Sequence, residues 1–275
     1  MGNIRVIGPK GSGKTTYLAA LAYQPLRAMK EYQNLKVQAV NDDTRNLAAK
    51  AENIISQGAS VEPTSSEVTN IYDLPSYSFN IELKRRFQKQ QEQINLVARD
   101  YPGEIFEDLE FGSSNPLHQE FIEECLTPDV NGCLILLTHW QSGTDNSYSR
   151  IVQRFIELMD KYERTSNLRL AIAMSKCERG ELWPGRLDPH TDLFRAHLPR
   201  TTHILQQNIP AQNLGFYAIS TFGVLGRKDP RPNRTQEWGT DGKLAVLRDA
   251  KKWRPYNLVA PLYWLSTGRK LGNDA

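Results

Sequence analysis

The chain has 275 residues, enough to bury a sizeable core without disulfide or metal staples. Its 34 Lys and Arg against 31 Asp and Glu leave a net charge of +3, too mild by itself to argue for a nucleic-acid partner. With 39% hydrophobic and 24% charged residues the composition excludes disorder throughout, and no apolar run approaches the roughly 18 residues of a membrane span.

Residues 3–7 form a short β-rich run. Gly8-Pro9-Lys10-Gly11-Ser12-Gly13-Lys14-Thr15 follows and matches G-x-x-x-x-G-K-[ST] at every fixed position. From Thr16 a helix is expected over 16–32. Strand, glycine loop and helix are the context of a phosphate-binding loop. Glycines let backbone N–H groups turn toward a polyanion without Cβ clashes, and a helix N-terminus adds partial positive charge. Gly8, Pro9, Lys10, Gly11, Ser12, Gly13, Lys14, Thr15 and Thr16 are therefore the candidate phosphate contacts. Lys14 is expected at the β- and γ-phosphates, and the Thr15 hydroxyl on Mg²⁺. No targeting peptide fits ahead of the first strand. Three cysteines without metal-ligand spacing predict reduced thiols and a cytoplasmic protein.

A second helix is predicted over 41–57, with Asn41 or Asp42 as its N-cap, followed by a loop over 58–70. Alternation predicts strands over 77–83 and 94–98, joined by a charged hairpin tip over 84–93. Buried strands are predicted at 132–138 and 168–174, a shorter one at 216–219, and an amphipathic helix at 149–164. A helix over 192–207 is expected to break near Pro199. A closing helix over 256–265 is interrupted or restarted by Pro261. Buried strands alternating with helices predict an α/β fold of the P-loop NTPase type. The expected sheet is mostly parallel with one antiparallel edge strand and helices on both faces. It would be one domain over 1–275 with insertions at about 181–213 and 223–255.

Later motifs fall in register with the first. Asp100-Tyr101-Pro102-Gly103-Glu104 directly follows a predicted strand. An aspartate there holds Mg²⁺ through water and the Gly103 N–H meets a γ-phosphate; the plain alternative is a turn. Ser175-Lys176-Cys177-Glu178 ends another strand. A Glu178 carboxylate can accept from N1–H and N2–H₂ of guanine, a donor pair adenine lacks, while Lys176 lies along the base; the plain alternative is a charged loop. Ser220-Thr221 follows the 216–219 strand, where backbone N–H groups can meet the guanine O6.

In these motifs the chain resembles P-loop GTPases of the translation-factor-related class, including Ras-like enzymes. Asp100–Gly103 is similar to D-x-x-G, Ser175–Glu178 to N-K-x-D, and Ser220-Thr221 to the S-A element, over roughly residues 3–222. Pro102-Gly103-Glu104, Pro63-Thr64 and Pro261-Leu262-Tyr263-Trp264-Leu265 also resemble bacterial double-GTPase-type proteins of multigene conflict systems. The resemblance implies a GTP- and GDP-binding, Mg²⁺-dependent switch with a protein partner as activator or effector. It implies Thr15, Asp100 and Thr64 as metal ligands, with Thr44, Thr69 and Ser65 as rivals to Thr64. Lys14, Glu104 and Lys10 are the catalytic candidates.

The departures carry consequences. Ser175 replaces an asparagine, which removes an amide that ties the base loop to the phosphate loop. Glu178 replaces an aspartate with a longer arm. Glu104 stands where Ras-like enzymes place a water-orienting glutamine, so slow hydrolysis without a partner is expected. Lys10 either stabilises transferring charge or blocks a partner's arginine. Two other readings are a P-loop ATPase, for which Glu178 would not select the base, and a catalytically silent nucleotide-binding adaptor. Residues 223–255 carry nine Lys or Arg against four Asp or Glu, plus Trp238 and Trp253. That segment reads as a solvated insertion, or else as a docking surface for an acidic partner, nucleic acid or membrane headgroups.

Overall fold

The computed structural model describes residues 2–23, 26, 29, 32, 34–56, 70–84, 92–112, 115, 117–141, 143–236 and 245–271. The main strands are β1 (Asn3–Ile7), β2 (Leu35–Ala39), β3 (Ser76–Leu83), β4 (Glu92–Arg99), β5 (Val130–Leu137), β6 (Arg169–Met174) and β7 (Leu214–Ala218). Among the described residues they form one seven-stranded sheet in the order β2-β3-β4-β1-β5-β6-β7. The pairings β4-β1, β1-β5, β5-β6 and β6-β7 are parallel, whereas β2-β3 and β3-β4 are antiparallel. The fold is thus the α/β sheet expected of a P-loop NTPase, with its antiparallel pairing confined to one edge. The hairpin pairs Phe79 with Leu96 and Ile81 with Ile94. β2, outermost on that edge, is an addition to the strands predicted from sequence.

Helices cover both faces, and the strands show why. In β5, Leu134 and Leu136 face one core while Cys133, Ile135 and Leu137 face the other. A strand buried on both sides reads as an unbroken apolar run. The first core is closed by α1 (Lys14–Ala22), α2 (Asp42–Ser56) and α8 (Ala260–Thr267). The second holds α3 (Gly103–Glu107), α4 (Leu117–Leu126), α5 (Thr144–Lys161), α6 (Leu182–Gly185) and α7 (Pro199–Asn208).

Several boundaries move for identifiable reasons. α1 stops at Ala22 instead of continuing to 32, because Tyr23 turns extended (ψ 119°) two residues ahead of Pro25. α5 begins at Thr144, five residues before its apolar stripe suggested. Pro261 and Pro199 each open a helix rather than interrupt one, where a missing N–H costs nothing. A seven-residue π-helical segment, Pro189–Arg195, precedes α7 in place of the start of one long helix. Residues 181–213 are well packed, with Leu193, Phe194, Leu198 and Leu205 fully buried.

The basic segment is not simply solvated. It carries a separate antiparallel ribbon of β8 (Arg234–Gln236) and β9 (Ala245–Leu247). The Asn233 side chain, fully buried, donates to Asp249 O at 2.9 Å and accepts from Asp249 N at 2.9 Å. Trp253 is buried edge-on against Tyr23, at 5.0 Å between centroids. Trp238 lies outside the described residues.

Candidate functional site

The site lies at the C-terminal ends of β1, β4, β6 and β7, where the loops of a parallel sheet gather. β1 runs into the glycine loop and the loop into α1, as predicted. Gly13 caps α1 with φ +89°, a conformation L side chains rarely adopt. The first helical bond joins Tyr17 N to Gly13 O at 2.8 Å, leaving the N–H groups of Lys14, Thr15 and Thr16 in the unpaired first turn. The Lys14 ammonium folds back onto the loop, donating to Gly8 O at 2.8 Å and Pro9 O at 3.2 Å. Burial lowers its pKa, against an upward pull from Asp100 and then Glu107 and Glu104. The Ser12 hydroxyl, also in the loop, is buried without a hydrogen-bond partner.

Asp100 closes the site from β4. Its carboxylate is buried and both oxygens lie 3.2 Å from the Thr15 hydroxyl. Behind it Gly103 opens α3 and touches the glycine loop: a Cβ there would fall 2.2 Å from the Lys10 nitrogen. The next turn places two carboxylates on that loop. Glu107 Oε1 accepts from the Lys10 backbone N–H at 3.0 Å, and Glu104 pairs with the Lys10 ammonium. Burial pushes the Glu104 carboxyl up, but the Lys10 hydrogen bond and charge outweigh it and leave it below the ordinary value. Burial raises Glu107. Sequence reasoning placed no role on Glu107; an acidic residue one helical turn after the glycine of D-x-x-G was the available signal.

Thr64 lies outside the described residues, as do Ser65 and Thr69. Thr44 is occupied elsewhere: its buried hydroxyl accepts from Ser78 N at 2.7 Å and donates to Asn41 Oδ1.

At the other end of the site, Ser175 corrects an expectation. Its hydroxyl donates to Ser12 O at 2.8 Å, so the tie between base loop and phosphate loop survives loss of the amide. Lys176 makes a second tie, Nζ to Gly11 O at 2.5 Å, from a left-handed backbone (φ 56°). Burial lowers its pKa to about 8, helped by Arg179 and Arg234 and opposed by Glu178. Glu178 has no exposed surface. Its Oε2 accepts from the Ser220 hydroxyl at 2.7 Å, and its Oε1 lies 3.4 Å from Arg234 Nη1. The Ser220 N–H is bonded to Tyr256 O at 3.1 Å, which leaves Thr221 as the backbone donor of that pair. Arg234 was not singled out in the sequence; only the tertiary fold brings it here.

The model of the family described as Double-GTPase 1 matches residues 5–169. The chain belongs to that family. The match takes in the glycine loop and the Asp100–Gly103 turn of this double-GTPase domain, while Ser175, Glu178 and Ser220 lie beyond it. No curated protein matches the chain. Membership makes the chain a GTP-binding protein of the GTPase type. Among the described residues no helix is long and apolar enough to cross a membrane, and no cluster of three or more His, Cys, Asp or Glu is arranged to hold a metal.

Proposed function

We propose that this double-GTPase domain binds GTP and GDP with Mg²⁺ and hydrolyses GTP as a slow, partner-assisted switch. The observation that carries the reading is the convergence of Lys14, Thr15 and Asp100 at one helix N-terminus, with the hydroxyl 3.2 Å from the carboxylate. Mg²⁺ fits this donor set. Thr15 and Asp100 offer hard oxygens, and a metal completed by phosphate and water needs no larger protein cage. Thr15 and Asp100 would hold the metal, which would supply positive charge to offset that of the phosphates.

The chain's own groups do the rest. The first-turn N–H groups of α1 and the loop amides bind the phosphates. Lys14 exchanges the carbonyls of Gly8 and Pro9 for phosphate oxygens. Glu104, paired with Lys10, is a weak base for an attacking water, which fits slow intrinsic turnover. A γ-phosphate also meets Glu107 at the Lys10 amide, so its arrival displaces a carboxylate and shifts α3. At the base end Glu178 and Thr221 are the guanine-reading groups and Lys176 covers the ring.

Calorimetry with GTP, GDP and ATP tests the reading: guanine nucleotides bind, ATP binds at least tenfold more weakly, and Lys14→Ala loses two orders of magnitude in affinity. Single-turnover phosphate release from the isolated protein should stay below ~1 s⁻¹. Equal GTP and ATP affinity rules out guanine selection. The Lys10–Glu104 pairing also favours a second reading, a nucleotide-binding adaptor without catalysis; phosphate release no faster than buffer with native partners present would establish it.

A further inference from the structure

The guanine-reading carboxylate is already occupied. The Ser220 hydroxyl accepts from Gly223 N at 2.7 Å, which turns its own hydrogen toward Glu178 Oε2. The other oxygen faces Arg234, itself only 11% exposed. With no exposed surface left on Glu178, a purine edge reaches it only if a neighbour gives way.

Arg234 is the neighbour whose chemistry matches the purine. A guanidinium presents N–H donors on a planar N–C–N unit, and the N1–H/N2–H₂ edge of guanine presents the same donor pair. Both compete for one carboxylate. The contact is long, 3.4 Å, and Lys176 and Arg179 crowd it with like charge. Arg234 rides on the β8–β9 ribbon, which among the described residues pairs with no strand of the main sheet. The ribbon itself is anchored, with Leu247 buried in the first core and Asn233 bonded to Asp249, so the part free to give way is the long Arg234 side chain.

We propose that Arg234 is a latch on the base-reading carboxylate: guanine takes Glu178 by displacing the Arg234 side chain. The proposal rests on the reading of Glu178 as the guanine contact. It makes Arg234 a determinant of specificity, because adenine has no donor pair with which to replace it. It also links base occupancy to a residue outside the matched 5–169 region.

The test uses the full chain with GDP and Mg²⁺. Arg234→Gln removes the competing charge and keeps a polar side chain; GDP should bind about tenfold tighter and ADP with unchanged affinity. Unchanged or weaker GDP affinity in folded Arg234→Gln overturns the latch. Should that variant not fold, the wild-type protein decides. Modification of Arg234 by phenylglyoxal, mapped by mass spectrometry, should rise severalfold on saturation with GDP, and no rise or protection overturns the proposal. Glu178→Gln separates the two levels. If it keeps the GDP-over-ADP preference, the base reading fails and the latch with it. If it loses that preference while Arg234→Gln changes nothing, the latch alone is wrong.

Discussion

Lys176 shows how much one side chain can be asked to do. Its backbone is left-handed, held by Ser175 N to Leu137 O at 2.7 Å and Cys177 N to Ile219 O at 3.1 Å. A non-glycine residue in that region costs on the order of 1 kcal/mol, which the two flanking bonds offset. Burial and neighbouring arginines bring its amine down to about 8. An NMR titration of the lysine side chains should therefore find Lys176 with a midpoint near pH 8. A midpoint near the ordinary 10.5 would refute the burial argument. Because the folded pKa lies below the unfolded one, the unfolded chain binds more protons between pH 8 and about 10.5. Stability contributed through Lys176 accordingly rises with pH across that window, and Lys176→Met removes that slope. Ser175 teaches a related lesson: a shorter polar side chain keeps the bond to Ser12 O because the two loops already approach closely.

At the level of elements, caps and alternation were readable and short irregular pieces were not. Asn41 was a predicted cap of the second helix, and its Oδ1 accepts from Thr44 N at 3.1 Å. Asn41 also donates to Ser76 O, fastening α2 to the start of β3. Asn41→Ala should lower stability by about 1–2 kcal/mol in urea denaturation. A loss under a few tenths of that would mean the cap is not what holds α2. β2 escaped the reading because its five residues, Leu-Lys-Val-Gln-Ala, gain identity only by pairing with β3. α4 escaped although Leu117, Phe121, Ile122 and Cys125 carry helical spacing, since it lies among turn-forming residues. α1 was overextended because helix propensity continues past Ala22 while the chain itself does not.

For the molecule as a whole, the surprise is the packed half of the basic segment. Trp253 is buried against Tyr23, and its Nε1 donates to Thr221 O at 2.8 Å. The tryptophan thereby joins the first core to the loop that carries Ser220 and Thr221. Trp253→Ala should cost about 3–5 kcal/mol in denaturant unfolding and weaken guanine nucleotide binding as well. Stability loss with unchanged binding would show that the loop is held by Ser220 and Tyr256 alone.

By itself the sequence determined the strand, glycine loop and helix at the start of the chain. A glycine loop, one lysine and one threonine are contiguous, and their chemistry depends on local backbone geometry that eight residues encode. It also determined the two-sided sheet, because buried parallel strands must be apolar on both faces. Only the tertiary structure decided the surroundings of Glu178. Glu178, Ser220 and Arg234 come from three segments up to 56 residues apart, and the burial that fixes a carboxylate's partners exists only once those segments have packed together.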